Sequence, residues 1–75
     1  MSTITGTVTI VITHGNTIWG NPMHSVVLRH ADGSESTVRV NNNASLNGRI
    51  DNREYRTAPH TFALTRAGRI SHEVR

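Results

Sequence analysis

Residues 23–40 read MHSVVLRHADGSESTVRV, two runs of alternating apolar and polar side chains joined by Ala-Asp-Gly-Ser. If Asp32-Gly33 formed a two-residue turn, Leu28 would face Thr37 and Val26 would face Arg39, mixing apolar and charged groups on one surface. A three-residue loop, Ala31-Asp32-Gly33 with Gly33 left-handed, instead sets Val26 opposite Val38, His24 opposite Val40 and Leu28 opposite Ser36. A slip of one residue exchanges the two faces of a strand, so the hydrophobic pattern selects the second register. The device recurs at HTFALTRAGRISHEV (60–74). There a loop Arg66-Ala67-Gly68 pairs Leu64 with Ile70, Phe62 with His72 and His60 with Val74, whereas an Ala67-Gly68 turn would set Leu64 against Ser71. Two antiparallel hairpins are expected.

Toward the N-terminus, TITGTVTIVIT (3–13) alternates strictly. Ile4, Val8, Ile10 and Ile12 share one face with Gly6 between them, and the threonines take the other, which is the pattern of a half-buried strand. Gly6 has no side chain to pack, so a bend or bulge is expected there. Between the hairpins, NNNASLNGRIDNREYRTAP (41–59) is rich in loop formers. Leu46 and Ile50 share a face if a short helix spans 44–52, a reading with which the tight-turn dipeptide Asn47-Gly48 competes. Tyr55 is read as the start of a short strand ending before Pro59.

This order, three strands, a short helix or loop, then two strands, predicts an all-β domain spanning residues 1–75. The architecture is a small five-stranded antiparallel barrel or strongly bent sheet, OB-like or SH3-like. The expected core is Ile4, Val8, Ile10, Ile12, Val26, Leu28, Val38, Val40, Phe62, Leu64, Ile70 and Val74, closed at one end by Leu46 and Ile50. Val11 and Val27 point outward in this register and offer a surface for homo-oligomer formation.

With 75 residues and no cysteine, the chain must be stabilised by an apolar core alone. No basic region followed by an apolar run opens it, and no run approaches the ~20 apolar residues of a membrane span. A cytoplasmic protein without membrane attachment is expected. The formal charge is +3, and every basic residue is arginine. That balance suits a polyanionic partner, but equally an ordinary soluble surface.

The candidate sites follow from this layout. His24, His60 and His72 fall on the core face, with His60 and His72 diagonal across one hairpin. Two imidazoles without a cysteine or a completing carboxylate are too few for a zinc site, so no metal or other cofactor is expected. Asp51 and Glu54 lie among arginines that keep them ionised, and no nucleophile elbow or phosphate-cradling glycine loop occurs, so catalysis is not expected. The stretch RIDNREYR (49–56) places Arg49, Arg53 and Arg56 around Tyr55, guanidinium forks for phosphates beside a ring on which a base can stack. Arg39 and Arg69 on strands and Arg66 in a loop extend this nucleic-acid reading. Against it, Asp51 and Glu54 neutralise part of the cluster, and the strands carry few aromatics. Trp19, on the turn-rich TIWGNPMH (17–24), and Tyr55 point instead to protein binding, since Trp, Tyr and Arg dominate interface hot spots; the competing reading has Trp19 capping the core and Tyr55 plugging the barrel end. Protein binding is the first reading and nucleic-acid or nucleotide binding the second.

At WGNPMHSVVLRHADGSES (19–36), DNREYR (51–56) and LTRAGRI (64–70) the chain resembles small, Arg-rich and Lys-poor accessory proteins of actinobacterial bacteriophages. The resemblance implies a non-catalytic protein of the host cytoplasm that engages a host or phage protein, in host takeover or counter-defence.

Overall fold

A computed structural model describes every residue except Met1, Asn21, Asn43 and Arg75; Asn21 of the expected Gly-Asn-Pro turn thus lies outside the described residues. Five strands form, β1 (Ser2–Asn16), β2 (Pro22–Arg29), β3 (Glu35–Arg39), β4 (His60–Leu64) and β5 (Ile70–Glu73). They make one antiparallel sheet in the order β3-β2-β1-β4-β5. The long β1 serves two partners. Residues 2–6 pair with β4 and residues 7–16 with β2. Gly6 marks the changeover, where an added Cβ would stand 2.9 Å from the Arg29 carbonyl oxygen and 3.0 Å from the Leu28 Cβ. Only a residue without a side chain lets the strands approach so closely.

The β2–β3 hairpin has the expected register, with Val26 opposite Val38 and Leu28 opposite Ser36. Gly33 is left-handed at φ 89°, and His30 and Ser34 close the loop through an N–H···O bond of 2.8 Å. Within the loop the Asp32 carboxylate accepts from the Ser34 hydroxyl at 2.6 Å and the Ser34 N–H at 2.9 Å. Those two bonds hold its pKa below the ordinary carboxylate value.

Two bulges overturn part of the expected pattern. In β1, Val8 faces Leu28 but Ile10 faces Val27, so Thr9 is an extra residue and the parity reverses. Val11 turns inward against the core, while Ile10 and Ile12 turn to solvent. Residues 10–12 are apolar at either parity, so alternation could not choose between them. The bulge supplies the bend that a strand shared by two partners requires. In the second hairpin Leu64 does face Ile70, and Gly68 is left-handed at φ 80°. Beyond that pair a second bulge sets Ala63 against His72 and Phe62 against Glu73. His72 and Val74, both expected inside, are therefore exposed. His60 lies opposite Gly6 of β1, not opposite Val74.

The connection differs as well. A 3-10 turn covers Ser45–Gly48, and a short helix, α1, covers Arg53–Thr57, so Tyr55 is helical rather than extended. Glu54 in its first turn and Arg56 in its last complement the helix dipole, and Ala58 is extended because Pro59 follows. The packing that results is a core of Val8, Val26, Leu28, Val40, Leu46, Ile50, Tyr55, Phe62 and Ile70. Ile4, Val38 and Leu64 flank it, half-buried. Tyr55 is the largest fully buried side chain, its ring tilted against Phe62 at 5.8 Å. An isolated parallel bridge joins Val40, one residue past β3, to Ile70 of β5, and among the described residues the sheet is not closed into a barrel. Among the described residues no helix is long and apolar enough to cross a membrane.

Candidate functional site

The most exposed large apolar side chains sit at the far end of the β1–β2 hairpin. Thr17, Ile18, Trp19 and Gly20 form a four-residue turn closed by the Gly20 N–H on the Thr17 carbonyl at 2.9 Å. The Trp19 N–H also donates to the Thr17 hydroxyl at 3.2 Å. Gly15 and Gly20 flank the turn at φ 89° and 83°, values that admit no ordinary side chain cheaply. The central positions of a tight turn point away from the hairpin, which leaves Ile18 at 91% and Trp19 at 82% exposure. Down the solvent face of the same arm, away from the tip, come Ile12 and then Ile10, the latter 53% exposed. Ile18 and Trp19 thus stand largely in solvent on a hydrogen-bonded turn. Between the tip and Ile12 the imidazole of His14 meets the Ser25 hydroxyl at 2.7 Å, a cross-strand tie within the arm.

Tyr55, expected beside Trp19 as a contact residue, is fully buried and presents no ring to a base or a partner. Its hydroxyl donates to Glu73 Oε1 at 3.1 Å, and His60 Nδ1 approaches Glu73 Oε2 at 2.6 Å. The other His60 nitrogen, Nε2, donates to the Glu54 carbonyl at 2.8 Å. Both ring nitrogens thus face acceptors, an arrangement only the imidazolium satisfies in full. The bond to Glu73 raises the His60 pKa, opposed by burial. Burial is the main cause that raises the Tyr55 pKa, with Glu73 adding to it. This cluster ties α1 to both strands of the second hairpin. It is a clasp between α1 and that hairpin.

His72, the expected diagonal neighbour of His60, points to the opposite side because of the bulge at Ser71. The His60–His72 pair does not form. His24 donates to Asn47 Oδ1 at 2.6 Å, and the Asn47 amide reaches toward the Asn41 and Asn42 carbonyls. No cluster of three metal-ligating side chains occurs among the described residues.

The arginines are spread over several places rather than gathered in one stripe. Arg49 and Arg53 are exposed near α1. Arg56 pairs with Asp51 at 2.5 Å and reaches the Thr9 carbonyl at 3.3 Å. Arg39 lies on the solvent face of β3, against the sulfur of Met23 at 3.5 Å. Arg66 sits in the β4–β5 loop and Arg69 borders it. Glu73 and Asn47 were not foreseen as site residues. For Asn47 the signal was present, a polar side chain between Leu46 and Ile50 beside a buried strand. For Glu73 none was, because its inward position depends on the bulge.

No family model matches this chain, and no curated protein or solved structure does.

Proposed function

We propose that this protein is a non-catalytic binding module that engages another protein through the tip of its β1–β2 hairpin. The observation that carries the reading is the joint exposure of Ile18 and Trp19 on a turn braced by two left-handed glycines. A fold this small leaves a tryptophan outside only at the cost of unburied apolar area worth about 2 kcal/mol or more. A partner that covers the indole recovers that free energy. The proposal extends to origin, an accessory protein of a bacteriophage acting in the host cytoplasm on a host or phage protein. It also extends to architecture: the order β3-β2-β1-β4-β5, with an isolated parallel bridge from Val40, just past β3, to Ile70 of β5, supports an OB-like barrel. In that comparison the Ile18–Trp19 turn is the loop between the first two strands, one of the two loops with which such barrels meet their ligands.

Capture from host lysate tests the reading. The full chain is expected to retain a protein after nuclease treatment, and Trp19→Ala to lose it. Unchanged recovery with Trp19→Ala removes the tip from the account.

Nucleic-acid binding keeps one supporting observation, since Arg39 on the β3 face and Arg66 in the β4–β5 loop occupy ligand-bearing positions of an OB-like barrel. It ranks second because the ring meant for stacking, Tyr55, is inside the core. Binding to single-stranded oligonucleotides that weakens steeply with salt, with a shallower slope in Arg39→Ala or Arg66→Ala, would move it first.

A further inference from the structure

At the end of the β1–β2 hairpin opposite the Ile18–Trp19 turn, β1 changes partner. Its pairing with β4 ends at Gly6 and its pairing with β2 begins at Thr7. A cleft of about 250 Å³ opens on this seam, lined by residues 5–7 of β1 with Arg29, His30, Ala31 and Pro59, and its walls are predominantly apolar. An apolar cavity of about 150 Å³ holds a benzene ring, so the cleft has room for one aromatic ring and a substituent.

The polar groups of the lining decide what can enter. The Thr5 hydroxyl is bonded to that of Thr61 at 2.8 Å. His30 sets one ring nitrogen on the Thr5 carbonyl and the other on the Ser36 hydroxyl, each at 2.8 Å. These groups are engaged inside the fold, and the carboxylate of Asp32, next to Ala31, is held within its own loop by Ser34. Arg29 differs. Its side chain is 61% exposed, and its ion-pair contact with Glu35 stands at 3.8 Å, beyond hydrogen-bond reach. Glu35 itself accepts from the Thr9 hydroxyl at 3.3 Å. An exposed pair at that separation holds the guanidinium weakly, so its fork of N–H donors is open to a second acceptor. The Thr7 hydroxyl makes no hydrogen bond to another described residue. What the lining offers a ligand is a cation and a hydroxyl beside apolar walls.

We propose that this cleft binds a small aromatic carboxylate, its ring against Ala31 and Pro59 and its carboxylate in the Arg29 fork. Charge complementarity selects the anion, since a guanidinium takes a carboxylate through two parallel N–H···O bonds. The apolar volume selects a ring over a bare anion, and a guanidinium beside it attracts an aromatic face but not a saturated one. The inference goes beyond the capture of a protein at the hairpin tip. Its test leaves Trp19 untouched, so failure of the cleft and failure of the tip are separate results.

Titration of the purified chain with benzoate, followed through backbone amide shifts, tests the proposal. Saturable binding is expected, with shifts centred on Gly6, Thr7 and Ala31 and none at Ile18. Benzamide, of the same shape without the charge, should bind the native chain at least about tenfold more weakly, and so should benzoate the Arg29→Gln variant, with circular dichroism unchanged. Cyclohexanecarboxylate, of the same charge without the aromatic face, should also bind more weakly than benzoate. Glu35→Gln removes the competing carboxylate and should tighten benzoate binding by about twofold, a gain that no loss of fold would mimic. Shifts that fail to saturate, or that centre on Arg49 and Arg53, overturn the proposal. So does binding indifferent to Arg29→Gln, or equal affinity for benzoate and for either analogue.

Discussion

The two hairpins of this protein handle aromatic side chains in opposite ways. In the second, β4–β5, a bulge turns Glu73 inward, where it receives the hydroxyl of Tyr55 and the ring of His60, and Phe62 packs behind them. In the first, β1–β2, a bulge turns Ile10 and Ile12 outward and the tip holds Ile18 and Trp19 in solvent. Each departure from strict alternation moves side chains across the sheet, but one closes a core and the other opens a surface. A bulge is therefore a means of assigning side chains to a face.

That division has measurable consequences. Tyr55→Ala removes the largest buried side chain and should cost about 3–5 kcal/mol. A domain of this size has little more than ~5 kcal/mol in total, so the variant should be largely unfolded in a urea titration. A Tyr55→Ala protein as stable as the native chain would break the contrast at once. Next in size, Gly6→Ala forces a Cβ against the Arg29 carbonyl and the Leu28 side chain at the β1 changeover. A loss of about 1–3 kcal/mol is expected, as for other overpacked sites, measured by the same titration.

The clasp has a signature in pH. The His60 pKa is raised in the folded protein, chiefly by its bond to Glu73. A raised value means the folded state binds the proton more tightly than the unfolded chain does. The added stability is thus fully present below the ordinary histidine value of ~6.5 and is lost as pH rises through the higher folded value. Thermal midpoints should fall from mildly acid to mildly alkaline pH, and Glu73→Gln should flatten the decline while lowering stability by roughly 2 kcal/mol at acid pH. A native chain whose stability rose across that window would contradict the clasp. The smallest expected effect is at the tip. Trp19→Ala should change folding stability by no more than ~0.5 kcal/mol, since the residue is 82% exposed, while removing the proposed capture of a partner. A large loss of stability would mean that the indole packs inside.

Much of the fold is legible in the sequence alone. In the β2–β3 hairpin Val26, Leu28 and Val38 are apolar where the opposite parity, Val27 apart, is charged or hydroxylated, so one register buries them best, and the chain adopts it. The first strand lacks that discrimination, since Ile10, Val11 and Ile12 are contiguous and burial of either set is compatible with the letters. The last strand lacks it for the opposite reason. Between Ile70 and Val74 stand only Ser71, His72 and Glu73, with no apolar residue to fix which of them faces inward. Tyr55 is hidden by its neighbours, because an aromatic among arginines and acids reads as exposed until α1 rotates it beneath the sheet. The tip reads correctly as a turn, but its exposure follows from the length of β1, which runs on to Asn16.

The central claim is the reversal of β1 at Thr9, because the outward isoleucines, the inward Val11 and the projecting arm all depend on it. Cross-strand nuclear Overhauser contacts of Val26 test it directly. Val11 should appear as the residue opposite Val26 and Ile10 as the residue opposite Val27. Contacts that instead place Ile10 opposite Val26 would describe an unbulged strand with Ile10 and Ile12 in the core, and would contradict the reversal together with the apolar arm that depends on it.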